Sequence, residues 1–114
     1  MTLNFLLIGN EIERRRISFQ SILYIKTEDY LSTFYLVNNQ KFCCSKPLCV
    51  IAECLPDYFI QINKGCIVNL NEISSVKPGK YLIDIANAIV LKVSIRRLKA
   101  FNNALNSQNV LITK

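Results

Sequence analysis

Apolar positions in this chain fall mostly into short, β-prone runs separated by polar turns, with a helical period in two places. The stretch around which the rest is organised runs from Phe59 to Ile73. In it, Phe59 and Ile62, then Ile67, Val68, Leu70 and Ile73, flank a polar insert, Asn63-Lys64-Gly65. Glycine tolerates a positive φ, so a sharp turn that lifts Asn63 and Lys64 outward is expected there. Asn69 and Asn71 lie in the apolar second half, where an amide is expected to satisfy nearby backbone groups.

Earlier in the chain, Asn4 to Ile8 closes at Gly9-Asn10 and is followed by Glu11 to Ile17, which predicts a hairpin of two short strands. Arg14, Arg15 and Arg16 on the second strand would alternate between faces and form a solvated edge that resists further pairing. Ile22 to Ile25 is a β-rich block, with a polar break at Lys26 to Asp29. Tyr30 to Val37 and Gln40 to Cys44 then form a second hairpin through Asn38-Asn39. A helix is predicted over 45–55, with Ser45 as its cap, Pro47 in its first turn and Leu48, Ile51, Ala52 and Leu55 as its buried stripe. Ser74 to Lys77 completes a strand, Pro78-Gly79 turns, and Tyr81–Ile85 and Ile89–Val93 make a last hairpin. A second helix is predicted over 94–105, capped by Ser94 and burying Ile95, Leu98, Phe101 and Leu105. Val110 to Ile112 would add a strand or cover an apolar patch.

Length and composition narrow the function. At 114 residues with 51% apolar content, one domain with a real core is expected. No apolar run approaches the roughly 18 residues of a membrane span, and no signal-peptide pattern opens the chain, which gives a cytoplasmic reading. The sequence contains no histidine, which removes the commonest general base and any Ser-His or Cys-His nucleophile. Neither G-x-S-x-G nor a Gly-rich phosphate loop is present, so an enzyme is not expected. The five cysteines show no C-x-x-C spacing and read as buried free thiols, with no metal and no cofactor. Cys66 adjoins the Asn63-Lys64-Gly65 insert, so its oxidation would be one way to misplace it.

Net charge is +6, and from Lys64 onward eight basic residues stand against Glu72 and Asp84. That asymmetry favours nucleic acid over a protein partner. Arg96, Arg97 and Lys99 crowd the first turn of the second helix, where the macrodipole is already positive. Each would cost about 0.3–1 kcal/mol there unless an outside anion offsets it.

Three segments carry a resemblance. Val68, Asn69, Leu70, Asn71 and Ile73 match the Val-Asn-Leu half of a signature found in LytTR DNA-binding domains, the usual output domains of bacterial two-component response regulators. Val93-Ser94-Ile95-Arg96-Arg97 resembles the second signature, which opens the last helix, and Ile22 to Ile25 with Tyr30 resembles a third segment. The resemblance spans Phe5 to Leu105. It implies a mainly β, elongated domain of small stacked antiparallel sheets with two or three short helices. Domain bounds of 1–105, with a tail at 106–114, are expected.

The resemblance also implies a sequence-specific transcriptional regulator that inserts loops into DNA grooves. Its partners would be double-stranded DNA and a homodimer mate on repeated sites, with no membrane and no small-molecule substrate. The DNA-binding candidates are Asn63, Lys64, Arg96, Arg97 and Lys99. The chain departs from the family in its contact half. The usual His-Arg-Ser triplet is Asn63-Lys64-Gly65, and the basic residue upstream is Gln61. Lys64 lacks the bidentate fork of an arginine, while Asn63 keeps a donor and an acceptor that could pair with adenine. Those departures motivate an alternative, a LytTR-like fold that has lost DNA and acts as a protein-interaction or decoy module. In the family the loop equivalent to Glu28-Asp29 faces DNA. Two carboxylates there are unfavourable near phosphates, so this loop is expected to stand away. No receiver-type region precedes Phe5, which suggests an excised domain or a stand-alone regulator.

Overall fold

The computed structural model describes residues 4–86 and 89–107. A first hairpin pairs β1 (Phe5–Gly9) with β2 (Arg14–Ser18) in register from Phe5↔Ser18 to Gly9↔Arg14. Glu11 to Glu13 belong to its turn and not to the second strand. The Asn10 side chain causes this, because its Oδ1 accepts from the amides of Ile12 and Glu13, both at 2.9 Å. The arginines do alternate, and two of them lie on aromatic rings. Arg16 sits 4.3 Å from the Phe5 ring centroid and Arg15 5.8 Å from that of Phe42.

Five antiparallel strands form the central sheet. They are β3 (Ile22–Glu28), β4 (Leu31–Leu36), β5 (Lys41–Cys44), β6 (Phe59–Asn63) and β7 (Cys66–Asn69), ordered β5-β4-β3-β7-β6. Lys26 to Glu28 continue β3 instead of breaking it, since they pair with Thr33, Ser32 and Leu31. Asn38 and Asn39 both take left-handed φ, 62° and 60°, the conformation that matches strand twist in a tight hairpin. A third sheet of β8 (Ile73–Lys77), β9 (Leu82–Ile85) and β10 (Ile89–Lys92) follows in the order β10-β9-β8.

Helix α1 covers only Leu48–Glu53, with Pro47 at its N-cap position and no side-chain cap, so Ser45 does not cap it. Leu48 and Ile51 are buried while Ala52 is exposed, because a helix this short buries one narrow stripe. Helix α2 runs Ile95–Ser107. Phe101 is fully buried and Leu98 and Leu105 partly so, whereas Ile95 is 74% exposed. Of the sequence assignments to the tail, residues 108–114 lie outside the described part, as do Asn87 and Ala88 of the last hairpin.

The central sheet is buried on both faces, which is why β3 and β7 read as nearly continuous apolar runs. On one face Ile22, Ile25, Phe34 and Ile67 pack with the first hairpin and α1. On the other, Leu23, Ile62, Cys66 and Val68 pack with Ile83, Ile85 and Phe101 of the third sheet and α2. The result is an elongated body of 49 × 33 × 25 Å. Asn69 is 1% exposed and fully engaged. Its Nδ2 donates to the Ile22 carbonyl at 2.9 Å and its Oδ1 accepts from the Asn71 amide at 2.9 Å. Of the free cysteines, Cys44 and Cys66 are buried but Cys43, Cys49 and Cys54 are exposed, so the reading of buried thiols holds for two of them. Among the described residues, no helix is long and apolar enough to cross a membrane.

Candidate nucleic-acid interface

The polar insert is the β6–β7 turn. Gly65 does not use a positive φ there. It is required for a different reason: a Cβ on it would lie 2.8 Å from the Thr27 carbonyl oxygen. That closeness comes from the Thr27 amide, which donates to the Gly65 carbonyl at 2.8 Å and ties the turn to β3. Asn63 is likewise not lifted outward. It is half-buried, with Oδ1 accepting from the Gly65 amide at 3.0 Å and Nδ2 donating to the Lys92 carbonyl at 2.8 Å. Gln61 turns its amide back onto the tip, with Nε2 3.0 Å from the Asn63 carbonyl and 3.3 Å from that of Lys64. Lys64 alone projects into solvent.

The start of α2 lies against this tip. The Ser94 amide donates to the Ile62 carbonyl at 2.8 Å, next to the Asn63–Lys92 bond. Ser94 then closes the first helical turn, accepting from the Arg97 amide at 3.0 Å. Segments about thirty residues apart are thereby stitched into one edge. Arg96 and Lys99 are exposed and Arg97 is partly so. Among the described residues the ion pairs are Lys26–Glu28 at 3.6 Å and Lys77–Asp84 at 3.0 Å, and none of the edge cations takes part in either.

The family model of the LytTr DNA-binding domain matches residues 13–106. The chain belongs to the LytTr DNA-binding domain family. A solved LytTr DNA-binding domain, from a Bacillus cereus protein described as a methyl-accepting/DNA response regulator, is similar in fold. It shares 19% identity at a TM-score of 0.78, with 91% of this chain and 98% of that one covered. No curated protein sequence matches.

This LytTr domain carries features at its edge that the sequence did not disclose. Gln61, read there as a lost cation, is a brace for the turn. The Asn63 amide, read as a base reader, has one hydrogen and one carbonyl lone pair committed inside the fold, with one of each left. A hint existed: an asparagine two residues before a glycine amide is the pattern of a side chain that closes its own turn. Its bond to Lys92, 29 residues away, had no sequence signal. Lys26 pairs with Cys66 across β3 and β7, which brings an exposed cation beside the tip, although Glu28 partly neutralises it. The Asp29-Tyr30 turn lies at the same end of the sheet, with Asp29 in left-handed conformation at φ 55°. Burial pushes the Cys66 thiol up to about 12, with Lys26 pulling weakly the other way, so it stays protonated and poorly nucleophilic. At 3% exposure Cys66 sits as a structural core thiol does, which disfavours a redox role at the tip.

Proposed function

We propose that this LytTr domain is a sequence-specific, non-enzymatic transcriptional regulator that reads duplex DNA with the edge formed by the β6–β7 tip and the first turn of α2. The observation that carries the reading is the pair of hydrogen bonds, Asn63 to Lys92 and Ser94 to Ile62, that joins the two basic segments. Lys64 supplies a phosphate contact, and Arg97 and Lys99 hold the backbone against the helix N-terminus, where anions are favoured. Arg96 enters a groove and bridges guanine acceptors. Asn63 contributes by holding the tip, its bonds to the Lys92 carbonyl and from the Gly65 amide fixing where Lys64 stands relative to Arg96. The Glu28-Asp29 turn stands back from the phosphates. The setting is the bacterial cytoplasm, with a homodimer on repeated sites.

Binding to random and selected duplexes across a salt series tests this. A steep fall in affinity with salt is expected, and no binding to any duplex would leave the fold as a protein-interaction module. Arg96→Ala should lose about 1–3 kcal/mol on the selected site and relax base preference. Lys64→Ala should weaken all duplexes alike and lower the salt slope by about one ion. Both side chains are exposed, so stability should move by no more than about 0.5 kcal/mol. Loss of stability by Arg96→Ala with DNA binding intact would make Arg96 a structural residue and overturn its assignment.

A further inference from the structure

The two outer edges of the first hairpin are treated differently. β2 carries Arg14, Arg15 and Arg16, the kind of charged edge that blocks strand addition. β1 reads Phe5-Leu-Leu-Ile-Gly9, with no charge along it. Among the described residues β1 pairs with β2 and no other strand. Leu7 at its centre is 64% exposed, and Val50 on the neighbouring α1 is 44% exposed. Between β1 and α1 lie two hollows of about 280 and 620 Å³ that share Leu6, Leu7 and Cys54. The first reaches Gly9 and Lys46; the second reaches Phe5 and Glu53. α1 therefore runs antiparallel to β1, with a cation at one end of the apolar strip and an anion at the other.

We propose that the edge of β1 is the pairing surface for a second copy of this chain, joined about a two-fold axis beside Leu7. Antiparallel pairing about that axis sets Leu7 opposite Leu7 of the second copy and brings the Gly9 end of one strand to the Phe5 end of the other. Lys46 of each copy then meets Glu53 of the other, so the charges that flank the strip are self-complementary. An isologous contact needs that match, and the reverse, parallel arrangement would set like charges together. The joined hairpins form a four-stranded sheet whose outer edges are the arginine-bearing β2 strands, which stops growth at two copies. The surface needs no DNA, so this inference and the DNA reading fail separately.

Sedimentation equilibrium of the full chain without DNA is the test, on wild type, Leu7→Lys, Lys46→Glu, Glu53→Lys and the double charge swap. Wild type is expected in a monomer–dimer equilibrium that Leu7→Lys abolishes. Each single charge reversal should raise the dimer dissociation constant on the order of tenfold or more, because it creates two like-charge contacts. The double swap should restore wild-type association. All three positions are exposed, and circular dichroism on each variant checks that the fold is kept. A wild type that stays monomeric to millimolar concentration overturns the proposal, as it would if the chain's own C-terminal segment covered the edge. A dimer that survives Leu7→Lys, or a double swap that fails to recover, overturns it equally.

Discussion

Replacing Asn63 with alanine removes the hydrogen bonds to the Lys92 carbonyl and from the Gly65 amide, at 2.8 and 3.0 Å, without opening a core cavity. Each is a neutral bond at a half-buried site, so about 0.5–1.5 kcal/mol apiece is the expected scale, or about 1–3 kcal/mol together. Unfolding entropy of about 2.1 cal/mol/K per residue over 114 residues gives about 4 °C per kcal/mol, hence a fall in Tm of about 4–12 °C. With the stitch to β10 gone, Lys64 and Arg96 should lose their fixed spacing. Affinity for DNA should then fall on every duplex by a similar factor, with the order of base preferences retained. Asn63→Asp is the sharper companion, since it keeps the acceptor for the Gly65 amide but faces the Lys92 carbonyl with a carboxylate. It should be at least as destabilising as alanine. Thermal melts paired with binding to a panel of single-base operator variants check both. Unchanged Tm with base preference lost at one position would refute the bracing role and make Asn63 a direct reader.

Gly65→Ala should cost about 1–3 kcal/mol, the usual range for overpacking, because its Cβ meets backbone oxygen at 2.8 Å and the Thr27–Gly65 bond prevents easy retreat; a urea midpoint unmoved at constant m would count against the close approach. The Asp84 carboxyl is held below its ordinary value by the Ser75 hydroxyl and then by Lys77. A lowered folded value means its contribution is present above the unfolded value near 3.8 and is lost as pH falls through the folded one. Ser75→Ala should therefore shrink the loss of stability on acidification, and identical acid limbs would reject it. For Cys66 the sign is opposite: its contribution is intact below about pH 9 and declines as pH rises toward about 12. With Cys43, Cys49 and Cys54 exposed, an aromatic disulfide reagent at neutral pH should titrate three thiols quickly and two only on unfolding; a fast fourth would refute the burial.

The strands, their order along the chain and the helix at the C-terminal end were legible because β-branched runs and a 3.6 period are local signals. The bracing asparagine in β7 was legible for the same reason, since an amide among apolar neighbours has few partners to choose from. What escaped was set by contacts between distant segments. Gly65 looked like a hinge of backbone freedom, yet it serves close approach to β3, which no spacing encodes. Ile95 fits the helical stripe on paper, but it stays 74% exposed while Phe101, further along α2, takes the buried place against the third sheet. Asn10 captured the Glu11–Glu13 turn through its side chain, and that shortened the strand beyond what alternation suggested. At the candidate interface the charges could be read from the sequence, while the stitch that gathers them could not.

One central sheet shared between two apolar clusters has a consequence for how the domain breathes. β3 and β7 send side chains to both clusters, so melting of one is expected to loosen the other. Amides of these two strands should exchange with solvent only through global opening, and those of the first hairpin through smaller fluctuations. The basic tip grows directly out of β7. It should thus share the slow exchange of that strand, and association with DNA should then carry little conformational penalty on the protein side.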